Sequence, residues 1–393
     1  MTVTSTILPL YFKGAAQSAG VSETTSTAYW GYANSIGTLI LALMAPVLGT
    51  IADYKGYKKK FFTLFYLLGV IFTALLAVVP THYWLVLLAV YVVTSIGFSG
   101  ANIFYDAFLV DVADDRRMNK VSTAGFAWGY IGSTIPFILC MAVVMLAQKN
   151  VIPISASQAS QISFVITAIW WGLFTLPLLK NVKQIFGLDK EDSIVINSFK
   201  RIGNTFRNIR NYQGAFIFLI AYFFYIDGVN TIITMATSYG SDLGIGTTDL
   251  LIVLLATQFI AFPFTLIYGR LADRFGTKKI IGLGIVTYIG ICIYAVFLQT
   301  ALDFWILAML VGTAQGGIQA LSRSYFGRLV PKEKANEFFG FYDIFGKFAA
   351  VIGPALLGVV AQLTGKTNYG VFSVIILFII GGLIFIKVPE TQK

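Results

Sequence analysis

The chain has 393 residues, of which 57% are hydrophobic and 12% charged, with a formal net charge of +10. A soluble protein carries about twice that charged fraction, so the solvent that this composition suits is lipid. The positive charge is not a nucleic-acid footprint, because it lies in short loops between apolar runs, where Lys and Arg set membrane orientation.

Runs such as 61–79, 84–104 and 369–386 reach or approach the ~20 residues that cross a bilayer as a helix. They lack the period-2 alternation of a membrane β-barrel. Residues 1–12 are apolar but short, and read as the outer half of a first helix. No basic segment precedes them, which argues against a secretory signal. Eleven full spans follow, at about 28–51, 61–79, 84–107, 121–147, 161–180, 213–237, 249–271, 279–298, 304–327, 336–361 and 369–387. Alternate loops hold Lys55, Lys58, Lys59 and Lys60; Arg116, Arg117 and Lys120; Arg274, Lys278 and Lys279; Lys332 and Lys334. The opposite loops hold only Lys13, Lys149 and Lys366. The asymmetry predicts that the basic loops and both termini face the cytoplasm.

The longest polar stretch, 181–212, is basic and partly amphipathic, with Ile194, Phe199, Ile202 and Phe206 at helical spacing. It reads as a cytoplasmic linker lying on the membrane surface. It divides an N-terminal helix bundle (1–180) from a C-terminal one (213–393).

Two charged loops repeat. Gly49-Thr-Ile-Ala-Asp-Tyr-Lys-Gly-Tyr-Lys-Lys-Lys60 lies 220 residues (269 − 49) before Gly269-Arg-Leu-Ala-Asp-Arg-Phe-Gly-Thr-Lys-Lys-Ile280. Gly49/Gly269, Asp53/Asp273, Gly56/Gly276 and Lys59/Lys279 are identical pairs. A repeat at half the chain length suggests duplication of a whole helix bundle. Gly49 and Gly269 permit close helix approach. Asp53 and Asp273 end a helix where a carboxylate can meet a neighbouring helix N-terminus. Gly56 and Gly276 suit the left-handed position of a tight turn.

These paired loops resemble the signature of the major facilitator superfamily. Thr27-Ala-Tyr-Trp-Gly-Tyr-Ala-Asn-Ser35, Tyr105-Asp-Ala-Phe-Leu109, Gly317-Ile-Gln-Ala-Leu-Ser-Arg-Ser-Tyr-Phe326 and Glu337-Phe-Phe-Gly-Phe-Tyr-Asp-Ile-Phe-Gly-Lys-Phe-Ala-Ala350 resemble its "unknown major facilitator" subgroup. That subgroup is related to fungal vacuolar amino-acid effluxers of autophagy. Its members begin with a complete first helix carrying Tyr-Asp and Asn-Ser, an element this sequence does not contain. The resemblance implies an all-α polytopic fold of two six-helix bundles, and alternating access with a site between halves near the midplane. It implies that the paired loops form a cytoplasmic latch; the plainer reading is topology and turn formation alone. Asp106, Asp111 and Arg323 lie at the corresponding helix ends and read as gate or latch contacts, with Asp273 or a neighbour the expected partner of Arg323.

Charges inside spans are costly and need a reason, at least ~2.5–3.5 kcal/mol each by insertion scales. Asp227 sits in Tyr-Ile-Asp-Gly-Val-Asn beside Asn230, with no basic residue adjacent in sequence. It is either a proton site or a hydrogen-bonded structural carboxylate. Asp343 and Lys347, one turn apart, share a helix face. They are either an ion pair that tunes packing or charges that line the central cavity. Gln315, in Gly-Thr-Ala-Gln-Gly-Gly, has small neighbours that leave room for a ligand. Asp227, Asn230, Gln315, Asp343 and Lys347 are therefore the candidate substrate or coupling residues.

Catalytic constellations are missing from the sequence. His82 is the lone histidine, and Cys140 and Cys292 both fall inside apolar runs. Neither a metal nor a cofactor is expected. The expectation is a non-enzymatic secondary transporter of an amino-acid-like or other small solute, driven by a proton or solute gradient. It is read as a monomer surrounded by lipid in the cell membrane, with no nucleic-acid partner. A non-transporting membrane sensor or scaffold is the alternative.

Overall fold

In the computed structural model the chain is almost entirely helical. The structure describes residues 7–189, 194–207, 209–242 and 244–390. The helices are α1 (Leu8–Ser18), α2 (Glu23–Ala52), α3 (Tyr57–Leu75), α4 (Trp84–Ala107), α5 (Leu109–Val112), α6 (Met118–Gln148), α7 (Ala156–Asn181) and α8 (Ile194–Arg207). They continue as α9 (Gln213–Asp242), α10 (Thr247–Phe275), α11 (Thr277–Ala295), α12 (Ala301–Leu329), α13 (Ala335–Phe348), α14 (Ile352–Thr364), α15 (Thr367–Ser373) and α16 (Ile375–Ile386).

Local chemistry accounts for the boundaries. Ser22 starts α2 by accepting the Thr25 N–H at 3.2 Å. Ser155 and Gln158 form a capping box at α7, and Thr300 and Asp303 form one at α12. Each satisfies N–H groups that a helix start leaves without partners. Pro46, Pro136, Pro177 and Pro263 lie within helices, as membrane helices tolerate. Lys13, read from the sequence as a loop residue, falls within α1.

Ten helical stretches among the described residues are long and apolar enough to cross a membrane. The remaining full-length span of the sequence reading is α3, whose first turn carries Lys58, Lys59 and Lys60. The tenth of the expected full spans, 336–361, is not one helix. It breaks at residues 349–351 into α13 and α14. The last is interrupted at Val374.

Packing divides the chain into two units. One comprises residues 1–111 and 132–199, the other residues 112–131 and 200–393. Thus α6 contributes its first turns to the second unit and the rest to the first. In the first unit, Phe62, Phe65, Tyr66, Phe104 and Phe108 build a buried aromatic cluster. In the second, Tyr222 stacks on Tyr342 at 4.3 Å and Phe326 on Tyr342 at 5.1 Å. The Tyr225 hydroxyl hydrogen-bonds Ser322 Oγ at 2.6 Å, so this buried core keeps its polar tips satisfied. Large apolar side chains such as Leu43 and Leu363 are exposed, a surface suited to lipid.

Candidate functional site

The two copies of the repeated loop are built differently. Gly56 reverses the chain between α2 and α3 with φ 85° and ψ −3°, the left-handed region that a side chain disfavours. Gly276 also has positive φ, 99°, but its ψ is 135°. The second turn therefore lies outside the αL well, though still at a positive φ that favours glycine, which corrects the shared expectation.

In the first copy, Asp53 is buried and ends α2. Lys58 and Asp111 form an ion pair at 2.6 Å, with both side chains fully buried. Lys58 also donates to the Ala107 carbonyl at 3.2 Å. The other Asp111 oxygen accepts the N–H groups of Ile185 and Phe186 at 2.8 and 2.9 Å. Such a buried pair persists because its remaining lone pairs and protons find partners. Asp111, read as a gate or latch contact, thus bridges Lys58 and the backbone of Ile185 and Phe186.

Residues 182–189, the beginning of the polar linker, lie along this loop. Gln184 accepts from Gly56 N at 2.9 Å, and Lys59 donates to the Val182 carbonyl at 2.9 Å. Leu188 donates to the Asp53 carbonyl and accepts from Lys55 N. Lys55 pairs with Asp189 at 2.6 Å in an exposed contact. That hydrogen bond, together with the ammonium charge, holds the Asp189 carboxyl below its ordinary range.

In the second copy, position 331 is Pro where the first has Asp111. Lys278, the counterpart of Lys58, donates to the Ile386 and Val388 carbonyls at 2.9 and 2.6 Å. A cation thus meets the carbonyl-rich end of α16. Lys279 is exposed.

Residues 112–131 supply the partners of the other second-copy residues. Asn119 donates to Asp273 and to Thr277 Oγ1, both at 2.9 Å. Its side-chain amide oxygen, Oδ1, accepts from Ser324 Oγ at 2.8 Å and from Arg328. Ser122 Oγ donates to the Ala320 carbonyl at 2.6 Å. Arg323 is buried, donates to Ser122 Oγ at 3.0 Å and to Ser122 O at 3.1 Å, and sits 4.7 Å from the Phe126 ring centre. Lys332 pairs with Asp115 at 3.1 Å. Gly269 faces Thr123: a Cβ there would lie 2.4 Å from Thr123 Oγ1. Gly49 is buried within α2, and Asp106 is half-buried near the end of α4.

The candidate substrate and coupling residues fall into two groups. Asp227 is buried on α9 and accepts the Gly353 N–H with its two oxygens, at 3.0 and 2.9 Å. Asn230, three residues on, donates to the Gly346 carbonyl at 3.4 Å. One face of α9 therefore satisfies backbone groups on both sides of the break between α13 and α14. Asp343 and Lys347 pair along α13 beside it, both largely sheltered. Gln315 lies apart, buried on α12, with no acceptor for its amide nitrogen among the described residues.

Sequence reasoning missed Asn119, Ser122 and Gln184 as organising residues. Asn119, Ser122 and Thr123 do sit at helical spacing just after a basic run. Their partners, however, lie more than a hundred residues away in the chain.

A model of the family described as vacuole effluxer Atg22-like matches residues 15–117 and 110–393. The chain is 62% identical over 390 residues to the uncharacterized MFS-type transporter YxiO of Bacillus subtilis, covering 99% of this chain and 91% of that protein. It is 21% identical over 408 residues to Autophagy-related protein 22 of Eremothecium gossypii, covering 94% of this chain and 78% of that one. Among solved structures, it resembles the proton:xylose symporter XylE with a TM-score of 0.73 at 13% identity, over 100% of this chain and 96% of that one. It also resembles the E. coli fucose:proton symporter FucP, with a TM-score of 0.68 at 15% identity, over 98% of each chain. The named relatives are transporters rather than enzymes. The chain is an integral membrane protein and belongs to the Atg22-like vacuole-effluxer family of major-facilitator transporters.

Proposed function

We propose that this secondary active transporter moves an amino-acid-like or other small solute by alternating access, driven by a proton or solute gradient. The observation that carries the reading is the break between α13 and α14, where Asp227 and Asn230 hold free backbone groups. Interrupted helices at membrane depth are where transporters place polar backbone and ionisable side chains. A buried carboxylate there can exchange a proton while its neighbours rearrange. Asp343 and Lys347 supply charge beside it, and Gln315 supplies a polar contact on α12.

Proton coupling is favoured by the titles of the XylE and FucP structures, which name proton symporters. Efflux is favoured by the family description. The paired loops act as a latch. Its engaged form is the set of contacts that residues 112–131 make with α10, α11 and α12, centred on Asn119 and on Ser122 with Arg323. Gly49, Asp53, Gly56 and Lys59 brace the first loop, with Asp106 near its end. Gly269, Asp273, Gly276 and Lys279 form the second. We place the protein in the cell membrane as a lipid-surrounded monomer, with basic loops and termini in the cytoplasm.

Solute uptake and counterflow in proteoliposomes test the reading. Saturable flux that responds to an imposed pH or solute gradient supports it. No flux across a broad solute panel, from protein shown to be folded, removes it.

A further inference from the structure

Within the second unit, α9, α10 and α12 leave a cavity of about 70 Å³. Ile232, Leu254, Leu307 and Val311 are among its walls; its amides are the buried Gln315 and the half-buried Gln258, and Thr257 and Tyr239 bring buried hydroxyls. None of the described lining side chains is ionisable except the Tyr239 phenol. That phenol donates to the Ala295 carbonyl at 2.9 Å, and the Thr257 hydroxyl donates to the Val253 carbonyl at 2.8 Å. Both protons are therefore committed. The Gln315 amide is not: only 3% of the residue is exposed, and its nitrogen has no acceptor among the described residues.

A buried donor without an acceptor is costly, and a ligand acceptor would remove the cost. Water is a poor occupant: it needs two to four polar partners, and besides Gln315 this mostly apolar wall offers only the Gln258 amide and two hydroxyls whose protons are already donated. A zwitterion is also disfavoured, because its charges would face no counter-charge in a low-dielectric wall.

We propose that this cavity binds an uncharged, largely apolar small molecule with one hydrogen-bond acceptor, which receives the Gln315 amide proton. The assignment rests on the reading of Gln315 as a solute contact and narrows that solute's class. It places the charged pair Asp343–Lys347 outside this subsite.

Benzophenone is a suitable probe, being neutral, apolar and photoreactive, with a single carbonyl. The purified full chain in lipid nanodiscs is irradiated with it, and labelled peptides are mapped by mass spectrometry. Labelling is expected to saturate and to concentrate on α9, α10 and α12. Acetophenone should compete roughly fivefold better than ethylbenzene, which has no acceptor, the fold-change of one neutral hydrogen bond. Gln315→Leu should abolish that difference. Leu254→Trp, which fills the cavity from another wall, should abolish the saturable labelling and serves if the first variant does not fold. Labelling spread evenly over lipid-facing helices, or equal competition by the two compounds in the unsubstituted protein, overturns the proposal. Saturable labelling at these helices supports the cavity even if no flux is found, whereas flux without saturable labelling overturns the cavity alone.

Discussion

Asp227 and Gly353 join α9 to the start of α14: the carboxylate oxygens accept one backbone N–H at 3.0 and 2.9 Å. The first N–H groups of any helix lack intrahelical partners, and at membrane depth no water replaces them. Asp227→Asn keeps one acceptor oxygen but loses the titratable group. We expect the variant to fold and its transport to lose or shift its pH dependence. An unchanged pH profile in proteoliposomes would remove Asp227 from coupling and leave it a structural cap. Asp227→Leu should lower stability by about 1–3 kcal/mol, the cost of an unsatisfied buried donor, measured by thermal unfolding.

Gly353 has no room for a side chain. A Cβ would stand 1.9 Å from Thr231 Oγ1 and 2.9 Å from Asp227 Oδ1. Gly353→Ala should therefore cost about 1–3 kcal/mol by overpacking. Combining it with Thr231→Ala should restore part of the loss. Strict additivity of the two substitutions in thermal unfolding would contradict the contact.

The break at residues 349–351 marks the limit of what the sequence made legible. Long apolar runs located the spans because the bilayer demands length and apolarity, and the duplicated loops stood out because identical residues recur 220 apart (269 − 49). The run 336–361 hid its interruption because its composition is apolar throughout. Pro354, just after Gly353, was the available signal, since the residue before a proline is pushed out of helical geometry. The docking of residues 182–189 on the first loop had no such signal. Polarity marked them as a linker, but the hydrogen bonds of Gln184 and Leu188 depend on a partner segment far away in the chain. Likewise the pairing of Lys58 with Asp111 could not be separated by spacing from other acid–base combinations in these loops.

That pair carries its own prediction. Asp111→Asn leaves a buried ammonium without its counter-charge and should cost about 3–5 kcal/mol. Removing the exposed pair through Asp189→Asn should cost far less, because water screens it. Denaturation of the two variants side by side checks this, and similar losses would contradict the assigned burial.

The same contrast fixes a sign for pH. Because Lys55 depresses the Asp189 carboxyl in the folded chain, its contribution is present above the ordinary carboxylate value of 3.8 and is lost as pH falls through the lowered one. No change from this pair is expected between about pH 5 and 8. A thermal-shift difference between the parent and Asp189→Asn that grows with pH in that range would contradict it.

Gly269 tests the latch. A larger residue would displace Thr123, whose Oγ1 stands 2.4 Å from the position of a new Cβ. Gly269→Leu should slow turnover severalfold while leaving solute affinity nearly unchanged. Equal turnover in variant and parent would mean that the contacts of residues 112–131 do not move in the rate-limiting step.

The most direct measurement is solute flux by the purified chain in proteoliposomes, with and without an imposed pH gradient. Saturable counterflow, accelerated by the gradient and losing its pH response in Asp227→Asn, is the expected result. Absence of flux for every solute in a broad panel, with the protein folded and inserted, would contradict secondary transport.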